Sequence, residues 1–332
     1  MPTLSQPVRR FARNRAALAS ALVLAGGALA VLLLLPYALV WYDLQALDTA
    51  ARQPPSLGSR VPYARAAPLL DALPAARSLG RFGATVHATG GWLGYDALGR
   101  SLLFRLVLGW AISLFIGAGA ATLASAIGVL WGASAALAGG RIDAVMMRTV
   151  DILYGLPYIL LVILLRVSLE EPLTTTLGGR VSIANILILF VAIGAVGWLT
   201  MARLVRGQVL SLRARTFLEA ARASGAGRVR ILLRHVLPNV AGPALAYAAL
   251  MIPQAILQES FLSFLGIGVQ APLPSLGRLA AEGVDAVNPY VSYGWTLVFP
   301  CAALAITLAV LNFLGDGLRD ALDPRPVAQQ ID

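Results

Sequence analysis

Few side chains in this 332-residue sequence are of a type and spacing to do covalent chemistry. Its single cysteine, Cys301, excludes an internal disulfide. The two histidines, His87 and His235, lie far apart, and no Cys/His spacing suits zinc. Every one of the 26 basic residues is Arg. A P-loop needs a Lys to reach nucleotide phosphates, so the chain carries no Walker A motif and is not itself an ATPase. Kinase and Schiff-base chemistry fall with the same residue. Ser134 lies in an apolar run with no His at a mid-run position, which argues against an intramembrane protease. One carboxylate, Glu259, sits in an otherwise apolar stretch, where it is costly unless paired or wet. It is a candidate for a substrate path or its outer closure, against the alternative of solvation at a membrane interface.

The polar segment with most internal order is Thr216-Phe-Leu-Glu219-Ala220-Ala221-Arg222-Ala-Ser224-Gly225-Ala-Gly227-Arg228-Val-Arg230-Ile-Leu-Leu-Arg234-His235-Val-Leu237-Pro238-Asn239. It predicts helix, turn, helix. Thr216 and Glu219 fit the capping box S/T-x-x-E. Gly225 suits a left-handed stop. Val229, Leu232, Leu233 and Val236 fall at i, i+3, i+4 and i+7, one apolar stripe with Arg228, Arg230 and Arg234 off it. Pro238 is expected to mark a break. Physically, such a segment is either an amphipathic connector on a membrane surface or a docking element.

The elements that hold these residues are apolar. Hydrophobic residues make up 58% of the chain and charged ones 13%, where soluble domains carry about 25% charged residues. The net charge is +10. A nucleic-acid module would cluster its Arg among interleaved aromatics; here the Arg lie between apolar runs, which suits a membrane topology and no nucleic acid. A spanning helix needs roughly 20 mostly apolar residues. Spans are expected at about 16–42, 108–138, 149–169, 182–204, 239–262 and 293–315, six in all. The first run is longer than a cleavable h-region of roughly 7–15 residues, so it is expected to be retained.

The run 106–140 is long for one helix and tight for two. Arg placement decides for one. With an inner N-terminus, Arg9, Arg10, Arg13, Arg15, Arg141, Arg148 and Arg203 through Arg234 all fall inside, with Arg319 and Arg325. The short outer segments keep only Arg166, Arg180 and Arg278. That is a positive-inside pattern with both termini cytoplasmic. The expected division is 1–105 (N-terminus, first span, long outer loop), 106–316 (a five-helix core with the loop 206–238) and a tail 317–332. Pro54, Pro55, Pro62, Pro68 and Pro74 make the outer loop irregular or partly helical. Gly128 and Gly132 form a GxxxG seam for helix packing, and Pro157 is expected to kink the third span.

Glu219, Ala220, Ala221, Gly225, Leu237 and Pro238 resemble the "EAA" signature of ABC importer permeases: Gly four residues after the second Ala, Leu-Pro twelve beyond that Gly. The ending Arg234-His-Val-Leu-Pro-Asn239 resembles the peptide branch, the dipeptide and oligopeptide permease C subunits. So do Leu93-Gly-Tyr-Asp96-Ala-Leu-Gly99-Arg100, Glu259-Ser-Phe-Leu-Ser-Phe-Leu-Gly266-Ile-Gly268-Val-Gln270 and Gly315-Asp316-Gly-Leu-Arg319-Asp320-Ala-Leu-Asp323-Pro324. Ser224 stands where Asp is usual, Tyr95 where Thr is usual and Ser101 where Asp is usual.

The resemblance covers the chain apart from about 50–89. It implies an all-α integral membrane protein with six transmembrane helices, the type I ABC importer permease fold, in the inner membrane. It implies a second permease subunit, two separate ATPases that hold the ATP and magnesium, and a periplasmic or lipid-anchored substrate-binding protein. It implies no cofactor or metal in this chain, and coupling to the ATPases through Glu219, Ala220, Ala221, Arg222, Gly225, Leu237 and Pro238. Peptides, nickel complexes and other small solutes are all substrates within that branch. A secondary transporter or channel is the rival class, but it would be expected to place ionisable groups at mid-membrane.

Overall fold

The computed structural model describes residues 11–12, 14–71, 80–178, 181–287, 290 and 293–322. Arg9, Arg10, Arg13, Pro74, Arg180 and Arg325, and the Asp323-Pro324 close of the tail motif, lie outside them. The helices are α1 (Arg15–Trp41), α2 (Tyr63–Asp71), α3 (Gly80–Thr89), α4 (Leu102–Ala138), α5 (Gly140–Tyr154) and α6 (Tyr158–Thr176). They continue with α7 (Val181–Arg213), α8 (Thr216–Ala223), α9 (Arg228–Ile231), a π-helical turn Leu232–Val236, α10 (Leu237–Phe264), α11 (Leu276–Asp285) and α12 (Trp295–Leu322).

Five helical stretches among the described residues are long and apolar enough to cross a membrane, and the bent pair α5–α6 makes a sixth if it is one span. The run 106–140 is one helix, α4, of 37 residues. The expected third span, 149–169, straddles a break. Residues 149–154 end α5, and α6 starts at Tyr158, bent from α5 by 92°. Pro157 caps α6 at φ −59° and ψ 123°. Its ring fixes φ and it has no N–H to continue the ladder of α5, so the chain turns a corner there instead of kinking. α5 is tied to α7 along its length by ion pairs, Asp143–Arg206 (2.7 Å) near its start and Asp151–Arg203 (2.9 Å) near its end.

α4 and α7 run parallel and in close contact. A Cβ on Gly128 would lie 2.5 Å from Met201 Cβ and 2.8 Å from the Trp198 carbonyl, and one on Gly132 would collide with the Ala202 carbonyl. The GxxxG pair is thus a seam between these two helices, where missing side chains let backbones approach. α10 packs antiparallel on α4, and α1 and α12 close the other side: Trp110 of α4 donates to Thr307 of α12 at 2.8 Å. One core surrounds Trp41, Phe104, Ile112, Ile116 and Leu189. A second surrounds Trp198, Met201, Val205, Leu218, Ile231 and Val236, next to the segment 214–236. That segment defines the loop end of the molecule. The far end carries α2, α3 and α11.

Candidate functional site

The loop end is built from the tail of α7. Leu218 is fully buried and anchors α8 against Val205, Val209, Ile231 and Val236. Glu219, Ala220, Arg222, Gly225 and Pro238 are exposed, and Ala221 and Leu237 are half-buried. The expected capping box does not form. Arg215 is the N-cap, in extended conformation with no side-chain bond, and Thr216 is already the first helical residue. The chain leaves α7 at Arg213, so the extended residue needed before a helix falls one place earlier than the Thr. Glu219 still stands in the first turn, where a carboxylate is favoured by the helix dipole.

The other end of α8 closes as expected. Gly225 has φ +77°. Its N–H donates to the Arg222 carbonyl (2.9 Å), and the Ala226 N–H donates to the Ala221 carbonyl (3.0 Å). This is the double bond pattern of a Schellman stop. A Cβ at Gly225 would have nothing within 4 Å. Backbone conformation, not crowding, is therefore what calls for glycine here.

The second helix departs from expectation in two ways. Val229 and Leu233 of the expected apolar stripe are 69% and 57% exposed, while Ile231 and Val236 are buried. The π-helical turn Leu232–Val236 explains it: its wider turn brings residues five apart, not three or four, onto one face. Nor does Pro238 break the chain. Arg228–Phe264 passes as one 37-residue helical stretch. A Pro ring inside an α-helix clashes with the carbonyl four residues back, and the widened turn just before Pro238 makes the room. Asn239 Nδ2 donates to the His235 carbonyl at 2.6 Å.

Glu259 lies at the far end of α10 and is not brought near these residues. It is 0% exposed, so the expectation of interfacial solvation is wrong. Its carboxylate accepts from Ser113 Oγ of α4 (2.8 Å) and Ser263 Oγ (2.7 Å). Ser113 in turn accepts from the N–H of Leu276, at the start of α11 (3.2 Å). Hydroxyl donors offset the desolvation of the buried carboxyl. α11 fits this closely because Gly277 leaves the Ser260 backbone room and Gly109 leaves Ser275 room.

Beside it lies an ion cluster that the sequence reading missed. Arg105, 1% exposed, donates to Asp96 Oδ2 (2.7 Å) and to Glu282 Oε2 (2.6 Å) and Oε1 (3.2 Å). Arg100 donates to Asp96 (2.7 Å) and Asp43 (3.2 Å), and Arg278 to Glu282 (3.2 Å). Burial raises the Glu282 carboxyl, but its bonds and charge contact with Arg105, helped by Arg278 and Arg100, outweigh this and hold it below the usual carboxylate range. The only sequence signal was three charges, Asp96, Arg100 and Arg105, crowded just before an apolar run; Glu282 is 177 residues from Arg105. Among the described residues no group of His, Cys, Asp and Glu could hold a metal ion.

Fold and site together define a multi-span helical membrane protein with a glycine-closed helix–turn–helix projecting between two spans. The chain belongs to the family of binding-protein-dependent transport system inner membrane components, whose description matches residues 124–327. It is a multi-pass transport subunit of the inner membrane with the type I importer permease fold. It is 45% identical over 239 residues to the oligopeptide transport system permease protein OppC of Escherichia coli K12, covering 71% of this chain and 73% of that one. It is 43% identical over 234 residues to the dipeptide transport system permease protein DppC of Bacillus subtilis, covering 70% and 68%. OppC of Mycobacterium tuberculosis is 37% identical over 320 residues, 96% of this chain and 93% of that one.

Proposed function

We propose that this chain is one permease subunit of an ATP-driven, binding-protein-dependent importer of peptides, forming half of the path with a second permease. Two separate ATPases with their ATP and magnesium dock at the loop end, and a substrate-binding protein delivers peptide at the far end. Both termini then lie in the cytoplasm, with residues 106–316 as the transporting core. The relatives' names, oligopeptide and dipeptide permease proteins, support the peptide substrate.

The observation that carries the coupling role is the Schellman-closed helix at Gly225, anchored by Leu218 while Glu219, Ala220 and Arg222 face outward. Leu237 and Pro238 start the span that the loop would move. Glu259 belongs to the outer closure, because it is buried and its partner Ser113 on α4 also holds the start of α11. The test is Gly225→Val in the assembled complex. Left-handed backbone costs an L residue roughly 1–2 kcal/mol, paid at an exposed turn away from the spans. The complex is expected to assemble, while ATPase docking or peptide uptake into vesicles falls several-fold. Full uptake by an intact Gly225→Val complex would reject the coupling role.

A further inference from the structure

The span that follows the loop carries polar side chains that its surroundings leave unanswered. Gln254 is exposed and Gln258 half-exposed in a stretch of mean hydropathy 1.6. Neither amide has a hydrogen-bond partner among the described residues. At 100° per residue, Tyr247, Gln254, Gln258 and Phe261 fall within an arc of about 60°. Glu259, five residues beyond Gln254, points about 140° away from it. An amide left unpaired against lipid is costly, so this face of α10 is not a lipid face.

The space in front of the face is consistent with that. One cleft is lined by Tyr247, Gln254 and Gln258 with Thr200 and Gly197 of α7 and small residues of α4 such as Ala124. A second is lined by Gln258 and Phe261 with Pro157 and Tyr158 at the corner where α6 begins. Gln258 borders both. The Tyr158 hydroxyl is buried, so Tyr158 lines the second cleft with apolar surface. Two elements, α10 and α7, thus turn uncharged donors and acceptors toward one strip, with no Asp, Glu or Arg among the residues lining either cleft.

We propose that Tyr247, Gln254 and Gln258, with Thr200, line the translocation path and hydrogen-bond the main chain of the passing peptide. The assignment rests on the permease reading above. Side-chain amides match the C=O and N–H groups that every peptide carries. The absence of fixed charge leaves the strip indifferent to the sign of the peptide's side chains. The Tyr and Phe rings give apolar side chains a surface to slide past.

The experiment places single cysteines at Gln254, Gln258 and Leu245 in a Cys301→Ala complex in vesicles. Leu245 is on α10, exposed, and about 180° from Gln254. A small hydrophilic thiosulfonate is applied with and without ATP and vanadate. Labelling at 254 and 258 that depends on the nucleotide state, with position 245 unlabelled, is expected. Assembled complexes in which 254 and 258 stay unlabelled in every state would overturn the proposal and mark the strip as a seam between the two permeases. In parallel, the Gln254→Leu, Gln258→Leu double variant is expected to lose at least severalfold of its uptake of tritiated trialanine, with assembly intact. Unchanged uptake would also overturn it. Water access is read without any peptide. Labelled positions with no trialanine uptake by the parent complex would therefore count against the peptide substrate and not against the path.

Discussion

Glu282 is the residue at which acid is expected to loosen the far end. Its carboxyl is held below the usual range by Arg105, so it binds fewer protons folded than unfolded. The stability it contributes is present above the unfolded carboxylate pKa and is lost as pH falls through the lower folded value. The complex in detergent should therefore melt at lower temperature as pH drops below that of a free carboxylate, and Glu282→Gln should flatten this acid limb while lowering stability at neutral pH. An acid limb of the same slope in Glu282→Gln would assign it to other groups. The cluster also shows where the sequence runs out. Asp96, Arg100 and Arg105 sit within ten residues, but their partners Asp43 and Glu282 come from distant segments. Pairing at that separation leaves no periodic trace. Glu259 was legible as an odd carboxylate in an apolar run. Its burial was not, because the hydroxyl of Ser113 that receives it lies 146 residues away.

The α4–α7 seam decides whether the helices pack at all. Gly132→Ile should separate them, since its Cβ meets the Ala202 carbonyl and, at 3.0 Å, the Arg206 backbone nitrogen, neither of which a rotamer change can move. Overpacking costs typically about 1–3 kcal/mol, so the yield of monodisperse protein in detergent should fall sharply. Gly207→Ala on α7 is the control: nothing lies within 4 Å of its Cβ, and replacing a mid-helix glycine gains roughly 0.5–1 kcal/mol. If both variants behave alike, the seam is not the cause. This seam was readable from Gly128 and Gly132, and so was the single helix α4 from the distribution of Arg. The corner at Pro157 was only half readable. The proline was seen, but a run of apolar residues on both sides of it looked like one span. The face of the loop's second helix was misread because a π turn shifts the phase at Leu232–Val236, and a 3.6-residue template has no term for such a shift.

For the whole molecule, the orientation follows from charge. With Arg203, Arg206, Arg213, Arg215, Arg222, Arg228, Arg230 and Arg234 on one side of the membrane, that side is expected to be the cytoplasm. Ser224→Cys in a Cys301→Ala background should resist an impermeant maleimide applied to intact cells and react once the membrane is opened; labelling in intact cells would invert the topology.

The unbroken run from Arg228 to Phe264 makes α10 a lever with its pivot at the π turn. Glu259 stands 23 residues beyond Val236, about 35 Å along the axis. A tilt of about 5° would carry it about 3 Å sideways, farther than a hydrogen bond to Ser113 can stretch. In the proposed coupling, a push at the loop end would thus be amplified by arm length into the parting of Ser113 on α4 from this carboxylate, with Ser263 of α10 travelling along with it.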